Sequence, residues 1–481
     1  MVTRTDFATI VPVLIVTLSA CAVLLAESIR RPHDKVYHGV FGLIGLAGGI
    51  YTSIQQWGYD RTGFGVIVAD NYALFFNVVI CGIGLLTILL SSGSAEQDRI
   101  PTGEYYALML FSIAGMMLMG STRDLLVIFV ALEILSLAVY VLTGVRRDSP
   151  KGTEAAFKYF LLGAFSSAFF LYGIAFTYGV AGSTRLEAIG SFLSAQALSS
   201  NPMILMAVGL LLVGFAFKIS AVPFHMWTPD AYEGAPAIVT GFMSTGVKVA
   251  AFAAFTRVFL STFEPFSNEW APLVAWVAAA TMILGTVVGV AQSNLKRMLA
   301  YSSIAHGGYL LVGLVAANSV GKAAILFYLL AYSVTNLAAF GVIALLGARD
   351  RDNDELRDYA GLWHTRPALA ALMTVCLLSL GGLPPTAGFI GKWYIFSAAV
   401  SAGYYWLAII GVLTSVVSVF FYLRVVVMMY MADREAGLPA PVTIPRLGMA
   451  ALTVAIVAIV YLGVLPTRVL DFAAESIATI F

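Results

Sequence analysis

Apolar stretches of about 20 residues follow one another along this chain, separated by short segments that hold most of its charge. Each stretch is long enough to cross the roughly 30 Å hydrocarbon core of a bilayer as a helix. A helix satisfies its own backbone amides, which hydrocarbon requires. Charged residues make up 11% of the sequence, against about 25% in soluble domains, so the chain lacks the polar surface needed to face water. It reads as an all-α integral membrane protein.

Charged or Pro/Gly-rich breaks give about fourteen transmembrane helices, near 8–29, 36–57, 71–91, 104–121, 124–144, 153–181, 203–229, 235–261, 269–292, 296–318, 321–347, 367–402, 404–431 and 447–466. The first run ends in Glu27, Arg30 and Arg31 rather than at a small-residue cleavage site, and is read as a span rather than a signal peptide. The stretches around Pro223 and Pro384-Pro385 are longer than one straight helix needs, so each is expected to be a broken, two-part helix. Of the 27 Lys and Arg, fifteen lie in odd-numbered connections, among them Arg30, Arg31, Lys35, Arg146, Arg147 and Lys151. Six lie in even connections and the termini. That bias puts the odd connections in the cytoplasm and both termini outside. Cys21, Cys81 and Cys376 have no paired spacing and read as small buried hydrophobes, without a disulfide framework or metal site. A net charge of +1 points to no nucleic-acid partner.

A shift of 169 positions lays Tyr140, Gly144, Gly152, Ala155, Tyr159 and Leu161 onto Tyr309, Gly313, Gly321, Ala324, Tyr328 and Leu330. SAVPF at 220–224 likewise echoes GGLPP at 381–385. The repeat unit is five helices, spans four to eight and then nine to thirteen, and an odd number of crossings inverts the second copy. The chain thus divides into an N-terminal three-helix segment (1–103), a first repeat (104–265), an inverted second repeat (266–432) and a C-terminal helix (433–481). Inverted repeats with interrupted helices are the architecture of ion-coupled transporters, whose sites lie at the breaks.

Charged groups within spans cost a few kcal/mol each, so they face the bundle interior and are functional candidates. Glu133 sits mid-span in VALEILSLAVYVL, as a fixed or a switchable partner for a buried lysine. Lys218 lies just before Pro223, which lacks an N–H and so frees the carbonyl of Ile219 to admit water. Desolvation disfavours an ammonium and a nearby carboxylate favours it. A lysine whose distance to Glu133 changes can therefore take up and release protons. Lys248 is central in span eight, and Lys392 follows the double proline of span twelve by seven residues. His306, in SSIAHGGYLL, is either a neutral proton carrier between those lysines or a histidine bonded to a neighbour. Lys158 lies one turn beyond Glu154 and is either a cytoplasmic point of proton uptake or an interfacial anchor. His225, Asp230 and Glu233 are assigned to the break after Lys218 and its outward loop, where they can line an exit path. Arg257 and Arg424 read as interior ion-pair or interface residues, Lys296 and Arg297 as products of the charge bias, and RDRDNDELRDY at 349–359 as a solvated connecting helix or subunit contact.

Three long motifs carry a family resemblance: KISAVPFHMWTPDAYEGAP at 218–236, NLKRMLAYSSIAHGGYLLVG at 294–313 and GGLPPTAGFIGKWYIF at 381–396. They resemble the antiporter-like subunits of respiratory complex I, the proton-translocating NADH:quinone oxidoreductase, over nearly the whole chain. Among these the chain is most similar to the N-type. Span twelve carries Lys392 where M-type chains have a glutamate, and about fifteen residues follow the last span, too few for the lateral helix of L-type chains. The resemblance implies a proton relay of Glu133, Lys218, Lys248 and Lys392, with His306 in the matching motif of span ten. It implies no cofactor in this chain, with flavin, iron–sulfur clusters and quinone in partner subunits. The partners it implies are other membrane subunits, within a bacterial plasma membrane. Subunits of multisubunit cation/proton antiporters and membrane-bound hydrogenases share the motifs and form the alternative.

Overall fold

The computed structural model describes residues 3–29, 36–92, 100–195, 201–347, 354–433 and 444–481. Arg30, Arg31, Lys35, Arg99, Arg349, Arg351 and Arg434 of the loop charge count lie outside them. Twelve spans are continuous: one (Arg4–Ile29), two (Val36–Gln55), three (Asn71–Ser91), four (Thr102–Gly120), five (Leu125–Thr143), six (Pro150–Ala181), eight (Ala237–Thr262), nine (Ser267–Val290), ten (Leu295–Ala316), eleven (Ser319–Leu346), thirteen (Tyr405–Met431) and fourteen (Arg446–Val464). Two are broken, as their prolines require: seven into Pro202–Lys218 and Trp227–Gly234, and twelve into Pro367–Gly381 and Ala387–Ser401. Peptides Val222–Pro223 and Pro384–Pro385 are both cis.

The repeat is visible in the packing. Span four packs on five as nine packs on ten, and six packs on seven as eleven packs on twelve. Spans eight and ten are almost wholly buried, because they cross the middle of the bundle. Spans one, six, thirteen and fourteen turn apolar faces outward, with Phe165, Tyr172, Val416 and Phe420 exposed to the surroundings. Such faces suit lipid or a neighbouring apolar subunit.

Small residues set the closest approaches. A Cβ on Gly234 would lie 2.4 Å from the Ala155 Cβ, so glycine lets the second half of span seven rest on the start of span six. A Cβ on Gly388 would lie 1.8 Å from the Ser379 carbonyl oxygen, which is how closely the two halves of span twelve meet.

Arg257 forms the interior ion pair expected of it. Its two terminal nitrogens donate to the Asp70 carboxylate at 2.8 and 2.9 Å, and one also reaches the Gly120 carbonyl at 3.1 Å. Asp70 caps span three through the Ala73 amide at 2.8 Å and accepts from Arg123 at 3.1 Å. Burial by itself would raise the Asp70 pKa, but the two arginines and the capping amide hold the carboxyl below its usual range. Arg424 donates to the carbonyls of Val290 and Gln292, at a helix end with unsatisfied acceptors.

Three elements escaped the sequence reading. A hairpin pairs Arg61–Gly63 with Ile67–Ala69, turning at Phe64 and Gly65, both with positive φ. Amphipathic helices Leu186–Ala195 and Thr467–Ala478 flank the spans, the second in the segment read as a short tail. Lys296 is more than a surface charge: it is buried and pairs with Asp354 at 3.1 Å. The described part of the 349–359 stretch is a 3₁₀ turn, Leu356–Tyr359, rather than a solvated helix, with Tyr359 buried.

Candidate functional site

Breaking a helix inside a membrane exposes carbonyls that have no water to bind, and each break here meets a lysine. Lys218 lies in the last turn of Pro202–Lys218, at the negative end of that half-helix. Its Nζ donates to Ser136 Oγ at 2.7 Å and Tyr140 Oη at 3.3 Å on span five. It lies over the rings of Tyr140, Tyr159 and Phe217 at 5.2–5.8 Å, distances at which ring quadrupoles attract a cation. Lys392 serves the other break differently. It sits in the second half of span twelve and reaches back, donating to the carbonyls of Leu380 and Gly381 at 2.8 and 3.1 Å. Ser415 Oγ at 2.8 Å completes its shell, and the Tyr309 ring lies 5.0 Å away.

Lys248 lies between them in the sequence and at the core of the bundle. It follows a π-helical turn, Met243–Val247, an irregularity common at functional sites. Its Nζ donates to the carbonyl and the hydroxyl of Ser303 on span ten, the latter at 2.7 Å, beside the Tyr332 ring at 5.2 Å. Gly307, one turn further along span ten, faces the carbonyl of Ile219. A Cβ there would lie 2.9 Å from that oxygen and 3.7 Å from Lys248 Nζ. The carbonyl next to the break of span seven therefore points at the central lysine's surroundings.

His306 is held by tyrosines. Its Nδ1 is 2.6 Å from Tyr328 Oη and its Nε2 is 3.3 Å from Tyr422 Oη, which also bonds Ser302. Its ring packs against Tyr332 on the Lys248 side at 5.1 Å and against Tyr309 on the Lys392 side at 5.5 Å. It thus lies between the two lysines and within the electrostatic reach of both.

Glu133 is not in a direct ion pair with Lys218. It is half-buried and accepts from Ser167 Oγ at 2.5 Å, while the lysine is held by Ser136 and Tyr140; its charge nevertheless reaches the lysine. Lys158 lies apart from the buried row. It pairs with Glu154 at 2.7 Å and Asp230 at 2.9 Å. Arg297 binds Asp230 at 2.8 Å and Glu233 at 2.9 Å, and these two carboxylates line a cavity of about 170 Å³ with Lys151, Glu154 and Lys158. This corrects the placement of Asp230 and Glu233 in an outward loop. They lie on the second half of span seven, beside Lys158 and Arg297, on the face of the odd-numbered connections. The helix resumes after the break and carries them there. His225 stays in the break itself, half-buried.

A family model described as NADH:quinone oxidoreductase/Mrp antiporter, TM, matches residues 122–418, which take in all of these charged groups. NADH-quinone oxidoreductase subunit N of Trichlorobacter lovleyi is 45% identical over 477 residues, covering 98% of this chain and 97% of that one. The chain belongs to the NADH:quinone oxidoreductase/Mrp antiporter family of membrane subunits. Among solved structures, a chain of respiratory complex I from Thermus thermophilus has 37% identity and a TM-score of 0.82, covering 96% of this chain and 99% of that one. A chain of the Mrp complex from Dietzia has a TM-score of 0.87 at 22% identity, covering 99% and 98%, and shows the shared fold.

In this family member the hydroxyl groups around the lysines and His306 are what the reading of charges missed: Ser136, Tyr140, Ser303, Tyr328, Tyr332, Ser415 and Tyr422. A signal was present for some of them. Tyr140 and Tyr328 both stand among the positions shared by the repeats, and Ser302 and Ser303 stand side by side in YSSIAH. The π turn before Lys248 left no mark in the sequence.

Proposed function

We propose that this chain is the N-type proton-translocating membrane subunit of a NADH:quinone oxidoreductase. The observation that carries the reading is the buried row of Lys218, Lys248, His306 and Lys392, each bonded to serine or tyrosine hydroxyls, in a bundle with two broken helices. Membrane ammonium groups cost about 2.5–3.5 kcal/mol each even on the most permissive scale. Three of them buried in one bundle are retained for the work of moving charge. Identity of 45% across the whole chain to a subunit N supports this assembly over a free-standing antiporter.

On this reading the chain carries out no redox chemistry. Flavin, iron–sulfur clusters and quinone belong to partner subunits, and quinone reduction there supplies the energy. The chain is a multi-pass protein of the bacterial plasma membrane, with odd-numbered connections in the cytoplasm and both termini outside, as fourteen crossings allow. Protons enter by the cavity beside Lys158 and Asp230, reach Lys218 and Lys248, pass His306 and leave from Lys392. Glu133 sets the proton affinity of Lys218, and movement of that carboxylate toward or away from the lysine is the switch.

The test is NADH-driven acidification of inside-out membrane vesicles whose complex carries Lys218→Met. Acidification should be abolished with the complex fully assembled, and normal acidification would overturn the proposal. Sodium-dependent proton movement without NADH would instead identify a cation/proton antiporter.

A further inference from the structure

Lys218 and Lys248 do not touch, and four described hydroxyls lie between them. Tyr140 Oη accepts from Lys218 at 3.3 Å. At the other end Ser303 Oγ accepts from Lys248 at 2.7 Å and from Tyr332 at 2.8 Å, and lies 3.4 Å from Tyr232 Oη. In that last contact either hydroxyl can donate to the other. Between Tyr140 and Tyr232 stands Tyr159, which is fully buried. Its ring lies flat on Trp227 at 4.1 Å and edge-on to Tyr140 at 4.6 Å, with Lys218 Nζ 5.6 Å from its centre. Both Tyr140 and Tyr232 are within electrostatic reach of its phenol. Yet no described protein group hydrogen-bonds the Tyr159 hydroxyl.

A buried hydroxyl is nearly always paired, with protein or with water. The packing around Tyr159 is specific enough that an unpaired hydroxyl is not an accident of loose fit. Phenylalanine would make the same stack on Trp227 without the cost of burying a polar atom. The neighbouring turn is also shaped for a phenol: a Cβ on Gly163, four residues along the same face of span six, would lie 1.9 Å from Tyr140 Oη. Tyr159 is moreover one of the two tyrosines that recur in the second repeat, where its counterpart Tyr328 bonds His306 at 2.6 Å.

Resting on the proton-translocation reading above, we propose that Tyr159 is a proton-carrying residue that holds a bound water and joins Lys218 to Lys248. The path runs from Lys218 through Tyr140, Tyr159 with its water, Tyr232 and Ser303 to Lys248. A proton leaves Lys218 Nζ for Tyr140 Oη as the proton already on Tyr140 moves on. Each hydroxyl and the water gains one proton and gives one up, and the last hop is from Ser303 Oγ to a neutral Lys248 Nζ. Lys218 ends neutral and Lys248 ends charged, with every hydroxyl restored. The second repeat links His306 to its own tyrosine in the related position, so the two halves conduct by the same device.

The experiment compares Tyr159→Phe and Tyr159→Ser in the intact complex, using NADH-driven acidification of vesicles with native-gel quantitation of assembly. Tyr159→Phe keeps the stack and loses the hydroxyl. It should slow acidification about tenfold, a factor equal to roughly 1.4 kcal/mol on the limiting barrier, at wild-type assembly. Tyr159→Ser loses the stack but leaves a hydroxyl and room for water, so at equal amounts of complex it should pump faster than Tyr159→Phe. Tyr159→Phe pumping as wild type, or outperforming Tyr159→Ser per complex, would overturn the proposal and leave Tyr159 a packing residue. Lys218→Met run alongside separates the two claims: if it also pumps normally, proton translocation through this chain fails, and the Tyr159 path fails with it.

Discussion

Replacing Asp70 by Asn tests whether the buried pair with Arg257 anchors spans three and eight. Asn keeps the cap on Ala73 but removes the charge that accepts two bonds from Arg257 and one from Arg123. Both pair members are buried, so water cannot replace the lost partner. Removing one partner of such a pair costs about 3–5 kcal/mol. Asp70→Ala also loses the cap and should cost about 1 kcal/mol more. A double variant, Asp70→Asn with Arg257→Met, takes both charges out and should recover most of the loss, since most of that loss is the cost of leaving the Arg257 charge buried and uncompensated. The assay is the fraction of detergent-solubilised complex that stays monodisperse after graded heating. Because the Asp70 pKa is held below its unfolded value of about 3.9, the pair's contribution is complete above that pH and is lost as pH falls through the lower folded value. A single variant as heat-stable as wild type, or a double variant as weak as the sum of the singles, would refute this account of the pair.

Other substitutions probe the site. Gly307→Ala places a Cβ 2.9 Å from the Ile219 oxygen; vesicle acidification should fall severalfold while assembly on native gels is kept. Gly388→Ala, with a Cβ 1.8 Å from the Ser379 oxygen, cannot be fitted without separating the halves of span twelve, and the assembled complex should be lost from native gels. Asp230→Asn removes a partly exposed partner of Lys158 and Arg297. Stability should change by less than about 1 kcal/mol, and acidification should slow without being abolished.

Much of this fold was legible because a bilayer leaves the chain little choice. Apolar length fixed the spans, and Pro223 and Pro384-Pro385 fixed the breaks, since a missing N–H in hydrocarbon must be compensated by something nearby. Lys218, Lys248 and Lys392 stood out because a charge in an apolar run is conspicuous. Serines and tyrosines do not stand out in the same way. Ser303 and Tyr422 are as compatible with lipid-facing or packing positions as with a hydrogen-bond network, and their neighbours are brought in from spans far apart in the sequence. The position of Asp230 was misjudged for a related reason. The expected break is there, but its second half, Trp227–Gly234, runs beyond the break and carries the carboxylate to the face of the odd-numbered connections instead of an outward loop. The hairpin at 61–69 is too short for its alternation to register.

The most direct test of the account cuts the row at each lysine in turn. NADH-driven acidification would be measured in vesicles carrying Lys218→Met, Lys248→Met or Lys392→Met, normalised to the amount of assembled complex. A path in series predicts that all three variants lose acidification to the same extent. Wild-type acidification in any one of them would contradict it, because a proton path that survives the loss of a member does not run through that member.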